Sequence, residues 1–277
     1  MTVAISLKVH EGLVLAADSA STLFGVDPSG RPAVINVYDH ACKLFNLYKG
    51  LPIGGLTWGA GSIGHAALST LSKDLRRLFM GSDEAWSLDR SNYTVEQVAD
   101  SARRFFFEET YMREFKDRPD KPSLGFLVAG YSAGDDLPEE WKIEILGGNC
   151  PAPTAVRQRG ETGIFWAGEQ EAIARIVKGH GTGLPRVLAE LGVPEEQIGP
   201  AMEQIEQRLE VMLAAPPMPI QDAIDLAVFL VEATIMFSRF SPGAPTVGGR
   251  VDVAAITKHE GFKWIRRKHY FDAKYNP

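Results

Sequence analysis

The first strand signal in the chain is an alternation of apolar and polar positions. Apolar side chains occupy the odd positions Val3, Ile5, Leu7 and Val9, and small or polar side chains occupy the even positions from Thr2 to Lys8. A period of two predicts a β-strand. The next run, "LVLAA" at residues 13–17, is apolar at both parities and predicts a strand buried on both faces. Because the turn between these runs is short, we expect an antiparallel hairpin.

The rest of the chain contains strands in groups, separated by helices. Strands are predicted within 41–48, 51–59, 123–132, 141–148, 163–168, 247–257 and 261–267. Helices are predicted over 62–80 and 94–116, and near 168–178, 195–213 and 219–240. Thr94 and Gln97 form a capping box for the second helix. Because the strands come in hairpins and do not alternate with helices, the pattern favours an α+β fold with helices outside antiparallel sheets.

Composition narrows the classes of function. The chain has 277 residues, is 45% hydrophobic and 23% charged, and has a net charge of -6. This is a globular composition, and the negative charge argues against a general nucleic-acid binder. The cysteines and histidines show no disulfide framework and no metal-ligand spacing, so we predict no metal and no cofactor. We find no secretory signal and no apolar stretch long enough to span a membrane, which predicts a cytoplasmic protein.

The stretch "GAGSIG", residues 59–64, matches the dinucleotide-binding fingerprint G-x-G-x-x-G. A dinucleotide site also needs a parallel strand after the helix, within one βαβ unit. Here a polar segment and a second helix follow the first helix. The glycine turn is therefore better interpreted as a source of unpaired backbone N–H groups, which stabilise an oxyanion as readily as a phosphate.

Thr2 is a candidate nucleophile. It follows the initiator Met, and a small second residue generally permits removal of that Met. The mature chain would then carry a hydroxyl and a free α-amine on one residue. Because the amine has an unperturbed pKa of about 7.7–8.0, part of it is neutral near pH 7 and can accept the hydroxyl proton. The alternative is that Thr2 is an ordinary residue at the edge of a first strand.

The segment "TVAISLKVHEGLVLAADSAST" resembles the N-terminus of active proteasome β-subunits and their bacterial relatives. In that family a strand ending in Ala-Ala-Asp places the Asp 16 residues after the nucleophilic Thr, as Asp18 follows Thr2 here. "CKLFNLY" supplies the expected lysine, Lys43, and "GLTWGAGSIG" supplies a glycine turn whose best match is Gly59. The closest match is to the simpler bacterial members, the peptidase subunit of the heat-shock protease and the "ancestral β-subunit" homologues.

This resemblance implies a fold and a set of roles. The fold is a single domain, residues 1–277, built as a four-layer αββα sandwich, with an extended loop at 23–41 and an extra helical segment near 183–215. Thr2, Asp18 and Lys43 are the implied catalytic residues. The N–H of Gly59 is the implied oxyanion donor, and Thr22 and Thr57 are the implied substrate-binding residues. The implied partners are a polypeptide or amide substrate, further copies in a homo-oligomeric ring and an ATPase unfoldase.

The later part of the chain departs from the family pattern. Where the family has a Ser that supports the Thr amine, "WAGEQEA" has Glu169, and the usual late Asp before Ser-Gly-Gly has no clean match. Ser238 and Ser241 lie nearby in sequence as substitutes. Taken singly, Asp18 is also typical of a turn and Lys43 of an exposed edge. Three functions therefore stay open, namely a threonine peptidase that requires removal of Met1, a non-catalytic scaffold subunit, and an amidohydrolase or transpeptidase on the same nucleophile.

Overall fold

A computed structural model describes residues 2–268 of the chain. Its first ten strands are β1 Val3–Val9, β2 Gly12–Ala17, β3 Ser21–Val26, β4 Pro32–Tyr38, β5 Leu44–Asn46, β6 Ile53–Gly59, β7 Ser62–Ile63, β8 Ala66–Ala67, β9 Leu124–Gly130 and β10 Glu139–Ile145. The last four are β11 Thr154–Ala155, β12 Gly163–Gly168, β13 Asp252–Thr257 and β14 Gly261–Arg266. The helices are α1 Leu68–Phe79, α2 Val95–Arg103, α3 Met112–Phe115, α4 Glu171–Val177, α5 Leu184–Glu190, α6 Glu195–Leu209 and α7 Ile220–Phe240. A π-helical stretch, Arg104–Tyr111, joins α2 to α3.

The strands form two five-stranded antiparallel sheets. The first sheet has the order β12-β1-β2-β13-β14, and the second has the order β11-β10-β9-β6-β5. Every strand pairing in both sheets is antiparallel. The hairpins β3-β4 and β7-β8 lie outside these sheets.

Three apolar clusters separate four layers. One cluster packs α4 and α7 against the odd-numbered side chains of β1, including Ile5 and Leu7. A second lies between the two sheets and includes Leu15, Leu56 and Leu127. A third packs α1, α2 and the π-helical stretch against the far side of the second sheet. The predicted α+β class and αββα sandwich are therefore confirmed.

Several local features agree with the sequence pattern. The Thr94 side chain accepts from Gln97 N at 3.1 Å, and the Gln97 side chain accepts from Thr94 N at 3.0 Å, so the predicted capping box starts α2. Strand β2 is buried at every position, as its unbroken apolar run predicted. Helices α5 and α6 lie within the segment near 183–215 that was expected to be helical.

Two predicted elements have a different form. The extended loop predicted at 23–41 is mostly the hairpin β3-β4, and its turn covers only residues 27–31, where the Asp27 carboxylate accepts from Ser29 N and Arg31 N. The helix predicted over 62–80 begins later, at Leu68, because residues 62–67 form the small hairpin β7-β8 first. The glycine turn therefore does not lead directly into a helix.

In the described part of the chain, no helix has both the length and the apolar character needed to cross a membrane.

Candidate active site

Thr2 lies where three strands of the first sheet end together. It immediately precedes β1, and its carbonyl oxygen accepts from the Glu169 N–H, just after β12, at 2.6 Å. Strand β12 approaches so closely that a Cβ on Gly168 would overlap this carbonyl oxygen, and Gly168 has a φ of +88°. A glycine is therefore required at this position. Met1 lies outside the described residues.

Asp18 follows β2 and is fully buried. Its Oδ1 accepts from Val3 N at 3.0 Å and from Lys43 Nζ at 2.6 Å. Its Oδ2 accepts from Ala20 N and Gly248 N, each at 3.1 Å. These four bonds replace the hydrogen bonds that water would make to the carboxylate, since an ionised carboxylate accepts about four hydrogen bonds.

Lys43 precedes β5, and its side chain is 7% exposed. Burial lowers the pKa of Lys43, and the Asp18 carboxylate opposes this effect by stabilising the charged ammonium. The backbone also joins Lys43 to β6, because the Lys43 carbonyl accepts from Thr57 N at 3.0 Å. The ion pair thus connects the end of a strand in the first sheet to the edge of the second.

A cavity of about 630 Å³ opens beside this pair. Five of the six residues that the sequence assigned to catalysis, oxyanion binding and substrate binding line this cavity, namely Thr2, Thr22, Lys43, Thr57 and Gly59. The sixth, Asp18, is bonded to Lys43 and does not line it. The hairpin β3-β4 contributes Phe24 and Tyr38 to the same walls. This arrangement brings together the residues of the proposed site; their catalytic roles stay predictions.

Gly59 ends β6 with a φ of +83° and is exposed to the cavity. A Cβ there would lie 2.6 Å from the Ser123 carbonyl oxygen, which already accepts from Ala60 N at 2.9 Å. Helix α1 also starts at the cavity wall, with Leu68 and Ser69, and has no side-chain cap and no acidic residue in its first turn. The positive end of the α1 dipole therefore adds to the attraction of this wall for a negative oxygen.

The side chains that the sequence suggested as support for the Thr2 amine are those of Glu169, Ser238 and Ser241, and none of them lines the cavity. Glu169 contacts Thr2 through its backbone, while its carboxylate accepts from Glu171 N at 3.3 Å. Ser241 donates to the Phe237 carbonyl at 2.7 Å at the end of α7, and the described residues that line the Thr2 cavity include neither Ser238 nor Ser241. A carboxylate beside a helix N-terminus and a hydroxyl that caps a helix end both have structural partners of their own.

Sequence reasoning missed two contributions. The Gly248 amide reaches Asp18 from a segment far along the chain, in the run "VGG" at residues 247–249. Asp252 and Lys268 form a second buried ion pair close by. The sequence of β13 could have revealed Asp252, because this charged residue directly precedes four apolar positions of a predicted strand.

The geometry for a dinucleotide is absent from the described residues. Strand β6 pairs antiparallel with β5 and β9 on either side, so the glycine turn belongs to no βαβ unit. Among residues 2–268, no three His, Cys, Asp or Glu side chains are grouped as a metal site.

Comparison with solved structures identifies the fold. The structure is similar to the Anbu complex from Pseudomonas aeruginosa, described as a helical assembly, with a TM-score of 0.54 and 16% identity over 99% of this chain and 89% of that one. It is similar to the Anbu (Gly-1) mutant from Hyphomicrobium sp. strain MC1, with a TM-score of 0.54 and 18% identity over 100% of this chain and 91% of that one. The chain has the proteasome-like N-terminal nucleophile (Ntn) fold.

The sequence-based assignment to the proteasome β-subunits is wrong. No family model matches the chain, and no curated protein matches its sequence. The structural relatives are Anbu proteins, and at 16% and 18% identity they show the fold and nothing further about this chain. The resemblance of the N-terminal segment to β-subunits is accompanied by a shared fold and does not establish that family.

Proposed function

We propose that this chain is a threonine-type Ntn hydrolase that cleaves amide bonds and works in an oligomeric, ring-like assembly. The observation that carries the proposal is the cavity lined by Thr2, Lys43 and Gly59, with Asp18 buried behind Lys43. The assembly is proposed because the structural relatives include an Anbu complex that forms a helical assembly. A peptide or another amide is the substrate class, and a cytoplasmic location is part of the same proposal.

The chemistry begins with attack by the Thr2 hydroxyl oxygen on the substrate carbonyl carbon. The hydroxyl proton passes to the neutral α-amine of Thr2, which requires that Met1 has been removed. The oxygen of the tetrahedral intermediate becomes negative and accepts from the Gly59 N–H at the cavity wall. When the carbon–nitrogen bond breaks, the leaving amine takes the proton from the α-amine, and water then hydrolyses the acyl ester.

Lys43 has an electrostatic part in this scheme. Its positive charge lowers the pKa of the Thr2 hydroxyl, which eases loss of the hydroxyl proton, and lowers the pKa of the amine, which keeps the amine neutral and able to accept that proton. Burial makes that charge expensive, and Asp18 keeps Lys43 protonated and oriented. Thr57 donates its hydroxyl to the Gly125 carbonyl at 2.9 Å, so it contributes its methyl group and a fixed position to the substrate-side wall.

Mass spectrometry after treatment with a peptide epoxyketone tests the proposal. The reagent forms a morpholine ring with the hydroxyl and free amine of an N-terminal threonine. We expect one adduct on Thr2 in wild type and no adduct in Thr2→Ala. Intact mass, measured first, shows whether Met1 is present.

A folded, Met-free sample that forms no adduct would contradict the hydrolase proposal and favour a scaffold subunit. Adduct formation together with cleavage of small amides, but not of casein-like unfolded chains, would favour the amidohydrolase alternative. Light scattering tests the assembly separately, because a ring requires a mass several times that of one chain.

A further inference from the structure

A second buried ion pair lies behind the Asp18–Lys43 pair. Lys268 Nζ contacts Asp252 Oδ2, and the two side chains are 3% and 4% exposed. The Lys268 N–H also donates to Asp252 Oδ1 at 3.1 Å. Burying two charges costs free energy that only well-made contacts offset, so the pair by itself adds little net stability.

Ser19 connects the two pairs. It follows Asp18 in the chain, and its Oγ accepts from Lys268 Nζ at 2.6 Å and donates to the Arg250 carbonyl. Ser19 N donates to the Gly248 carbonyl at 2.9 Å, and Gly248 N donates back to Asp18 Oδ2 at 3.1 Å. Lys268 therefore helps to fix Ser19, and with it Asp18, next to the Gly248–Arg250 segment. The N–H of Gly248 in that segment bonds to Oδ2 of Asp18.

The charges of the second pair also act on Lys43. Apart from burial, the groups that influence the pKa of Lys43 are Asp18 and Asp252, which raise it, and Lys268, which lowers it. The two members of the second pair therefore have opposite effects.

We propose that Asp252 and Lys268 are positioning residues for the candidate active site, which fix the Asp18–Ser19 segment and balance the charge around Lys43. The inference rests on the proposed function, in which Lys43 must stay protonated beside Thr2. It assigns a role to two residues, on β13 and after β14, that belong to none of the segments carrying the nucleophile.

The ¹⁵N resonance of Lys43 Nζ, assigned with Lys43→Arg and titrated between neutral and alkaline pH, tests this assignment. Lys268→Met removes a cation, so the pKa of Lys43 rises. Asp252→Asn removes a carboxylate, so the pKa of Lys43 falls. The expected result is a shift of opposite sign in the two single variants. The double variant Asp252→Asn/Lys268→Met returns the pKa towards the wild-type value.

Two controls separate charge from structure. Lys268→Arg keeps the cation, so the pKa of Lys43 is expected to stay at its wild-type value. If Asp252→Asn does not fold, the comparison of Lys268→Arg with Lys268→Met tests the proposal. Lys258→Met removes the lysine of the exposed Lys258–Asp136 pair and should not change the pKa of Lys43. Shifts of the same sign in Lys268→Met and Asp252→Asn, or none in either, would overturn the proposal.

The rate of Thr2 acylation, followed against pH, links the pair to the proposed function. The alkaline limb of the profile moves to higher pH in Lys268→Met and to lower pH in Asp252→Asn, and Lys268→Arg restores the wild-type rate. If wild type is not acylated at any pH, the proposed function fails, and the Lys43 titration still decides the positioning role.

Discussion

Lys43 Nζ donates to Asp18 Oδ1 at 2.6 Å in a pair whose side chains are 7% and 0% exposed. The two residues come from different sheets, and the Asp18 carboxylate also accepts three backbone N–H groups. The pair is therefore both an interaction between the sheets and the electrostatic centre of the candidate active site.

The first prediction concerns removal of one partner. Asp18→Asn leaves the Lys43 ammonium buried without its counter-charge, which costs about 3–5 kcal/mol in the free energy of unfolding. The acylation rate of Thr2 falls on the order of 100-fold, because Lys43 is no longer held charged and oriented. Urea unfolding and adduct formation measure the two effects.

The double variant Asp18→Asn/Lys43→Met is the control for this prediction. It removes both charges and regains much of the lost stability, but it does not regain acylation. If Asp18→Asn acylates at the wild-type rate, the pair has no part in the chemistry.

The second prediction concerns the pH dependence of stability. The pKa of Lys43 is lowered in the folded protein, mainly by burial, from an ordinary value of 10.5. Between the folded pKa and 10.5, the unfolded chain holds a proton on Lys43 that the folded chain does not, so stability rises with pH. Below the folded pKa this contribution is lost.

Comparison with Lys43→Met isolates this effect, because the other alkaline groups titrate in both proteins. The free energy of unfolding of wild type should rise relative to that of Lys43→Met as the pH increases towards 10.5. A difference that stays constant across this range would show that Lys43 titrates equally in the folded and unfolded chains.

The third prediction concerns the turn at Gly59. Gly59→Ala places a Cβ 2.6 Å from the Ser123 carbonyl oxygen at a φ of +83°, so the turn must shift and its N–H loses its direction. We expect acylation to fall by about 100-fold, as when one oxyanion donor is removed. We also expect a loss of about 1 kcal/mol or more in the free energy of unfolding, because the conformation is unsuitable for alanine.

Gly61→Ala is the matched control for the turn. A Cβ at Gly61 would meet only the Ser21 hydroxyl, at 3.8 Å, so the backbone can stay in place. Equal loss of acylation in Gly59→Ala and Gly61→Ala would show that the N–H of Gly59 has no special position.

The sequence predicts the site residues that lie close together in the chain better than those that lie far apart. Thr2, Asp18, Lys43 and Gly59 lie within the first 60 residues, at the ends of strands that form hairpins with short turns. Hairpin pairing brings Thr2 to Asp18 and Lys43 to the strand of Gly59, and packing of the two sheets brings these two pairs together. Gly248, Asp252 and Lys268 reach the same place through pairing of β13 with β2, and no local signal specifies which distant strand will occupy that position.

The local sequence pattern also does not predict that polar positions of β1 are buried. Strand β1 alternates as a half-exposed strand would, yet all seven of its residues are buried because the second sheet covers its even-numbered face. Lys8 is accommodated there, with its Nζ donating to the Arg159 carbonyl at 2.6 Å, and burial lowers the pKa of Lys8. A period of two shows that two faces differ, but a second sheet can cover the polar one.

The last prediction concerns the hairpin β3-β4, whose apolar side chains face solvent in the single chain. Exposed positions include Leu23, Phe24, Val26, Ile35 and Tyr38. Several exposed apolar side chains on one hairpin are unusual for a single chain in water, and the proposed assembly needs an interface. Val26→Ser/Ile35→Ser should therefore lower the assembly mass in light scattering, while the change in the free energy of unfolding stays within about 0.5 kcal/mol for each exposed substitution.

Leu191→Ser is the matched control for the hairpin, because Leu191 is a 76% exposed apolar residue at the end of α5. If both variants lower the mass equally, general surface polarity governs assembly and the hairpin has no special part. If neither lowers it, the hairpin contacts no other copy. A selective loss in Val26→Ser/Ile35→Ser places the interface next to the Thr2 cavity, since Phe24 and Tyr38 of the same hairpin line its wall. Acylation of Thr2 in that variant should then fall together with the mass, which a concentration series of both measurements would reveal.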